Sequence, residues 1–276
     1  MNDVRDAVAR DAIARDAIAR DAVMALLARD FRAFFRSRSQ LYSSVLFPLM
    51  LLAILGTGVS RGLDPKNIDD YVTFLVPGMV VMTALFSSTF SSASYYADRD
   101  SGILKVFLAA PHSSRVILLA KTLSSVVIGI AQALIVLAVA AAVPAIDFRW
   151  EYGVLGSLAV TLAAVVLLNL FLSGLAQLLA SRIKTMQGFH LLMNLVLFPF
   201  LFFSGAFFPL EYLPAWLKVL GSLNPLSFAV DAMHHALYAG DGGGGYFALW
   251  VDLAVLAVLA ALVFYAGTGR RVSPDR

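Results

Sequence analysis

The stretch Thr122–Ile146, "TLSSVVIGIAQALIVLAVAAAVPAI", runs for 25 residues without a charge. A helix crosses the roughly 30 Å hydrocarbon core of a bilayer in about 20 residues, so this segment is long enough to span it. The same pattern repeats on both sides. Charge-free intervals also cover Ser39–Ser60, Tyr71–Ala97, Tyr152–Ser181 and Thr185–Leu210, and Phe247–Thr268 carries one charge, Asp252, near one end. A chain that is 60% hydrophobic and 14% charged is not a soluble globular domain. The sequence predicts an all-α integral membrane protein with six transmembrane helices, near residues 41–60, 71–96, 116–141, 153–180, 187–208 and 247–268.

The charges between these spans are sorted. With the N-terminus inside, cytoplasmic segments hold 17 Lys and Arg, and the opposite side holds only Arg61, Lys66, Arg149 and Lys218. That asymmetry follows the positive-inside rule and predicts a cytoplasmic (inner) membrane protein with both termini cytoplasmic. The first 40 residues contain eight Arg and no apolar run, so no cleavable signal peptide is expected. Cysteine is absent, which removes disulfides and thiolate metal sites together.

The flanks divide into four parts. Residues 1–21 form a charged tail in which a five-residue repeat starts at Arg5, Arg10, Arg15 and Arg20. Five residues advance a helix by about 500°, so its Val and Ile spiral around the axis without forming one stripe. In residues 22–38 the apolar Val23, Leu26, Leu27, Phe31, Phe34 and Phe35 share one arc, with Arg29, Arg32 and Arg36 opposite. This is the pattern of an amphipathic helix lying in the membrane interface. Residues 39–269 hold the spans, and 270–276 form a cytoplasmic tail.

Two connections stand out. Asp98–Arg115, "DRDSGILKVFLAAPHSSR", opens with acids suited to a helix N-terminus, places Ile103, Leu104, Phe107 and Leu108 on one helical face, and stops at Pro111. A greasy face on a cytoplasmic loop calls for a partner to cover it. Pro209–Tyr246 is too polar and proline-broken to span, yet too apolar for water. Leu213, Trp216, Leu217 and Leu220 share helical spacing, as do Leu226, Ala229, Val230 and Met233. Two short re-entrant helices between the last two spans fit this pattern.

These two connections resemble those of ABC-2-type permeases, the membrane subunits of ATP-binding cassette exporters. The first carries the acid-Arg-acid of Asp98, Arg99 and Asp100, then Gly102, two leucine-like residues, Pro111 and a Ser/Arg turn. The second carries Ser204, Gly205, Pro209, Asn224, Pro225 and Leu226. The resemblance covers nearly all of residues 24–268, and the N-terminal repeat departs from it. It implies a permease that pairs with a second copy as a homodimer and sits on a dimer of ABC ATPase subunits. The loop between the second and third spans would be a coupling helix pressed into the ATPase, with Asp98, Arg99, Asp100, Gly102, Ile103, Leu104, Phe107, Leu108 and Pro111 as its residues.

Other chemistry is weaker. No Gly-Lys pair exists, so the phosphate-cradling G-x-x-x-x-G-K-[ST] loop is missing, and Asp241–Gly245 has glycines without a lysine. ATP and Mg belong on the partner chain, and no cofactor, metal or nucleic acid is expected here. There is no H-E-x-x-H and no G-x-S-x-G. Asp231, His234 and His235 share one side of a helix and keep open a different reading, a membrane-embedded metal or acid–base enzyme. Polar residues inside the spans, Ser88, Ser91, Gln132, Asn169, Gln177 and Asn194, either hold helices together or line a translocation route. Phe- and Met-rich spans suit an amphiphilic or hydrophobic cargo, drug or lipid-like. Polysaccharide or glycolipid export, known in the same family, is the alternative.

Overall fold

A computed structural model describes residues 20–21, 23–59, 71–102, 114–180, 182–183, 185–238 and 245–268. Among them the chain is helical throughout. Helix α1 covers 23–36, and Ser37 separates it from the short α2, Arg38–Leu41. A π turn, Tyr42–Leu46, leads on into α3, Phe47–Val59. The π turn lies just ahead of Pro48, which lacks a donor and crowds the preceding turn. The long helices α4 (Tyr71–Asp100), α5 (Ser114–Ala141) and α6 (Gly153–Ala180) follow. Then come α7 (Met186–Phe202), α8 (Ala215–Ser222), α9 (Pro225–Leu237) and α10 (Leu249–Thr268).

Five helical segments are long and apolar enough to cross a membrane: Arg38–Gly58, Tyr71–Asp98, Leu118–Ala141, Gly153–Ala180 and Leu249–Ala266. The sixth apolar helix, Met186–Phe202, is shorter. At 1.5 Å per residue it reaches roughly 26 Å. It ends at Phe202, short of the 208 expected from the charge-free interval, because the chain turns at Ser204 and Gly205, where φ is +81°. A side chain is disfavoured in that conformation.

Helix α4 is the axis of the bundle. It packs against α3, α5, α6, α7 and α9, and α6 in turn packs against α5, α9 and α10. Leu75 and Met79 of α4 are fully buried, as are Leu168 and Leu172 of α6, Met193 of α7, Met233 of α9 and Leu256 of α10. By contrast α3 exposes Met50 and Ile54, α7 exposes Leu191 and Leu195, and α10 exposes Val258 and Leu262. In lipid such faces carry little penalty, since acyl chains are as apolar as leucine.

Residues 203–237, a turn followed by the two short helices, fold back as a hairpin that meets α4 through the turn and through α9. Asn224 caps α9 by accepting from the Leu226 N–H at 3.0 Å, and its amide also donates to the Phe200 carbonyl at the end of α7. Pro225 follows at the first helical position, where its missing donor costs nothing. Pro209 and Pro214 precede the 3₁₀ turn Leu210–Tyr212 and α8. The hairpin touches α4 backbone to backbone: a Cβ on Gly78 would come within 2.6 Å of the Ala206 carbonyl oxygen. The Tyr71 hydroxyl donates to the Phe207 carbonyl at 3.0 Å, about two turns of α4 earlier.

Candidate functional site

The charged loop leaves the bundle between α4 and α5. Ile103, Leu104, Phe107, Leu108 and Pro111 lie outside the described residues, but the root of the loop is described. Asp98, Arg99 and Asp100 form the last turn of α4, which corrects the expectation that they open the loop helix. A carboxylate at a helix C-terminus meets the negative end of the macrodipole and needs compensation. Asp98 receives it from two cations. The Lys121 ammonium of α5 stands 2.8 Å from its Oδ2, and Arg29 Nη2 of α1 also stands 2.8 Å from that atom. Helix α4 then ends at Gly102, where φ is +76°.

Asp30, beside Arg29 on α1, completes the cluster. Its Oδ2 accepts from Lys121 at 3.0 Å, and its Oδ1 accepts from Arg29 at 2.9 Å. Lys121 also donates to the Ser94 hydroxyl at 2.7 Å, so each of its three N–H groups has a partner. Among the described residues two cations face two anions, so their charges balance. Lys121 is 3% exposed and Asp30 9% exposed. Partial burial opposes the charge on Arg29, but the hydrogen bonds to Asp98 and Asp30 outweigh it and raise its pKa. The cluster clamps α1, α4 and α5 together where the loop departs. Just behind it, the Tyr96 hydroxyl donates to the Ala180 and Ile183 carbonyls at 3.2 and 3.1 Å, adding the end of α6.

Sequence reasoning missed this cluster. There Arg29 belongs to the polar face of an interfacial helix, and Lys121 stands alone at the edge of the third span. The available signal was a lysine one helical turn inside a run of Leu119, Ala120, Thr122 and Leu123.

Most of the candidate pathway residues are engaged between or within helices. Ser91 Oγ donates to the Lys121 carbonyl at 2.7 Å, and Ser88 Oγ back-bonds to Leu85 at 2.9 Å. The Asn169 amide donates to the Val165 carbonyl, and its oxygen accepts from Ser125 Oγ at 3.3 Å. Gln177 Nε2 donates to Thr122 Oγ1 at 2.9 Å. Gln132 is fully buried and neither end of its amide has a partner among the described residues. Asn194 differs from the rest: it sits on the exposed face of α7, beside Leu191 and Leu195.

At the opposite end of the bundle, Asp231, His234 and His235 do not act as one unit. His234 Nε2 lies 3.0 Å from the Phe74 carbonyl, and its ring stacks on Phe74 at 4.5 Å. Asp231 and His235 turn the other way, toward the start of α10. There Asp231 accepts the Tyr246 and Phe247 N–H groups at 2.6 and 2.7 Å. Asp252 joins them from α10, buried completely.

Comparison with known proteins bears on both ends. Residues 21–238 match the family model described as ABC-2 type transporter. The putative transport permease ycf38 of Porphyra purpurea is 27% identical, over 88% of this chain and 84% of its own. The daunorubicin resistance ABC transporter permease protein DrrB1 of Streptomyces coeruleorubidus is 26% identical, over 86% and 81% respectively. The probable multidrug ABC transporter permease YbhR of Escherichia coli strain K12 is 29% identical, over 59% of this chain and 43% of its own.

Proposed function

We propose, proceeding from the fact that the chain belongs to the ABC-2 type transporter family, that this permease moves an amphiphilic or hydrophobic cargo, drug or lipid-like, out of the cytoplasm. It is a multi-pass membrane subunit without catalytic chemistry of its own. ATP and Mg are then handled by a pair of ATPase subunits, and two copies of the permease form the pathway between them. The names of two relatives, one for daunorubicin resistance and one for multidrug transport, support the cargo class.

The observation that carries the mechanism is the charge-balanced ion cluster at the root of the 103–113 loop. A push on that loop is useful only if it moves a body and not a side chain. Lys121, Asp98, Asp30 and Arg29 join three helices at that point, and one of them, α4, touches most of the bundle. The coupling helix, with Ile103, Leu104, Phe107 and Leu108 against the ATPase, thus acts on α4 as a rod. ATP binding and hydrolysis shift the balance of inward- and outward-open states through it. In this reading α7 is the short fifth span, α8 and α9 re-enter from outside and the loop faces the cytoplasm; the charge bias of the sequence supports it.

The test is the double substitution Phe107→Asp and Leu108→Asp in permease co-expressed with its ATPase. Losing two buried apolar contacts and desolvating two charges weakens ATPase association at least tenfold, about 1.4 kcal/mol, and stops transport. The permease itself stays at its normal level. Normal transport by a stably expressed double mutant removes the coupling assignment, and a depleted permease shows that the face packs on its own membrane helices.

A further inference from the structure

We propose that Asp231, His235 and Asp252 form a divalent-cation site of the Zn²⁺ class, tying α9 and the Gly245–Phe247 segment to the start of α10. The ligand atoms of these three residues all lie within 4.8 Å of one another. Donors bound to one ion at about 2.1 Å sit roughly 3–4 Å apart, so sub-ångström movements close the shell.

Asp252 points to the ion. It is 0% exposed, and neither carboxylate oxygen has a hydrogen-bond partner among the described residues. A buried carboxylate left in that state is costly and calls for a cation or a proton. Among the described residues no Lys or Arg pairs with Asp231 or Asp252; the ion pairs are those at the opposite end of α4. The neighbours are instead arranged as outer-sphere support. The two backbone N–H groups on Asp231 orient its carboxylate. His235 Nε2 lies 2.7 Å from the Phe247 carbonyl, which can only accept. The proton therefore sits on Nε2, and Nδ1 is the accepting nitrogen; it takes only a long 3.4 Å contact from the Gly245 N–H, which an ion at Nδ1 would replace.

Gly245 closes the site from above: a Cβ there would collide with His235 Nε2 and come within 2.7 Å of Asp231 Oδ1. Any side chain at this position would press on the His235 ring and the Asp231 carboxylate. The set of one imidazole and two carboxylates selects against Ca²⁺ and Mg²⁺, which prefer all-oxygen shells, and suits Zn²⁺. Two negative ligands and a divalent cation give a neutral centre.

The experiment uses the full chain purified in detergent, with metal measured by mass spectrometry and thermal unfolding followed with and without Zn²⁺. Wild type is expected to retain about one Zn²⁺ per chain, to unfold at a lower temperature after chelation, and to recover on adding Zn²⁺ back. Outer-sphere partners alone change metal affinity by 10–100-fold, so Asp252→Asn should lower Zn²⁺ affinity more than tenfold. His235→Asn, on a half-buried residue, provides the same readout if the first variant fails to accumulate. The proposal is overturned if wild type neither retains metal nor responds to Zn²⁺, the result of a protonated Asp252. It is also overturned if both variants bind Zn²⁺ as wild type does.

Discussion

The two ends of α4 solve the same electrostatic problem in different ways. From Phe74 to Asp98 is roughly 36 Å along a helix, and each end lies near buried ionisable groups in apolar surroundings. Near Asp98 the solution is internal: two cations and two anions from three helices, with every Lys121 donor used. Near Phe74 two carboxylates approach each other with no Lys or Arg among the described residues paired to them. Charge balance inside the chain makes a joint that holds itself, whereas an imbalance makes a site that needs something supplied from outside. The two ends also differ in how the backbone is held. Side-chain charge joins helices at the loop root, while the hairpin end relies on direct backbone contact at Gly78 and on the Asn224 cap.

The strongest way to break this comparison is Lys121→Met. It leaves Asp30 and Asp98 buried without their shared cation, and removing one partner of a buried pair costs about 3–5 kcal/mol. Thermal unfolding in detergent should show a large loss, and adding Asp30→Asn and Asp98→Asn should restore most of it. Wild-type stability in the single variant would mean that the joint is not held by charge. A smaller effect is expected from Gly78→Val, which forces the hairpin away from α4; overpacking of this kind costs about 1–3 kcal/mol. Unlike the first variant, it should not be rescued by neutralising the acids. The smallest effect belongs to Arg29→Gln. Its side chain is 37% exposed, and a pair open to solvent contributes up to about 1 kcal/mol. An Arg29 loss as large as the Lys121 loss would show that the cluster acts as one unit and not as a buried core with an exposed rim.

The fold was legible wherever the signal was local. Long charge-free runs marked the helices, and Pro209, Pro214, Asn224 and Pro225 marked the hairpin, because caps and breakers act within a few residues. The end of α7 was not legible from the interval alone. Apolar composition continues to Leu210, and only the Ser204–Gly205 turn ends the helix. The ionic groups were the least legible. Lys121 and Asp30 are 91 positions apart, and Asp252 meets Asp231 from another helix. A lone charge near a helix end looks the same in sequence whether it faces headgroups or a buried partner.

Because α4 runs without interruption from the ion cluster to Phe74, which meets His234 on the same helix as Asp231 and His235, any coupling between the two ends is bound by thermodynamic reciprocity. Suppose that seating a cation beside Asp252 favours one axial position of α4 and thereby changes the affinity of the loop for its ATPase by some factor. Docking the ATPase must then change the affinity for the cation by the same factor. A metal titration with and without the ATPase would measure that factor at one end of the helix while the partner is docked or withheld at the other.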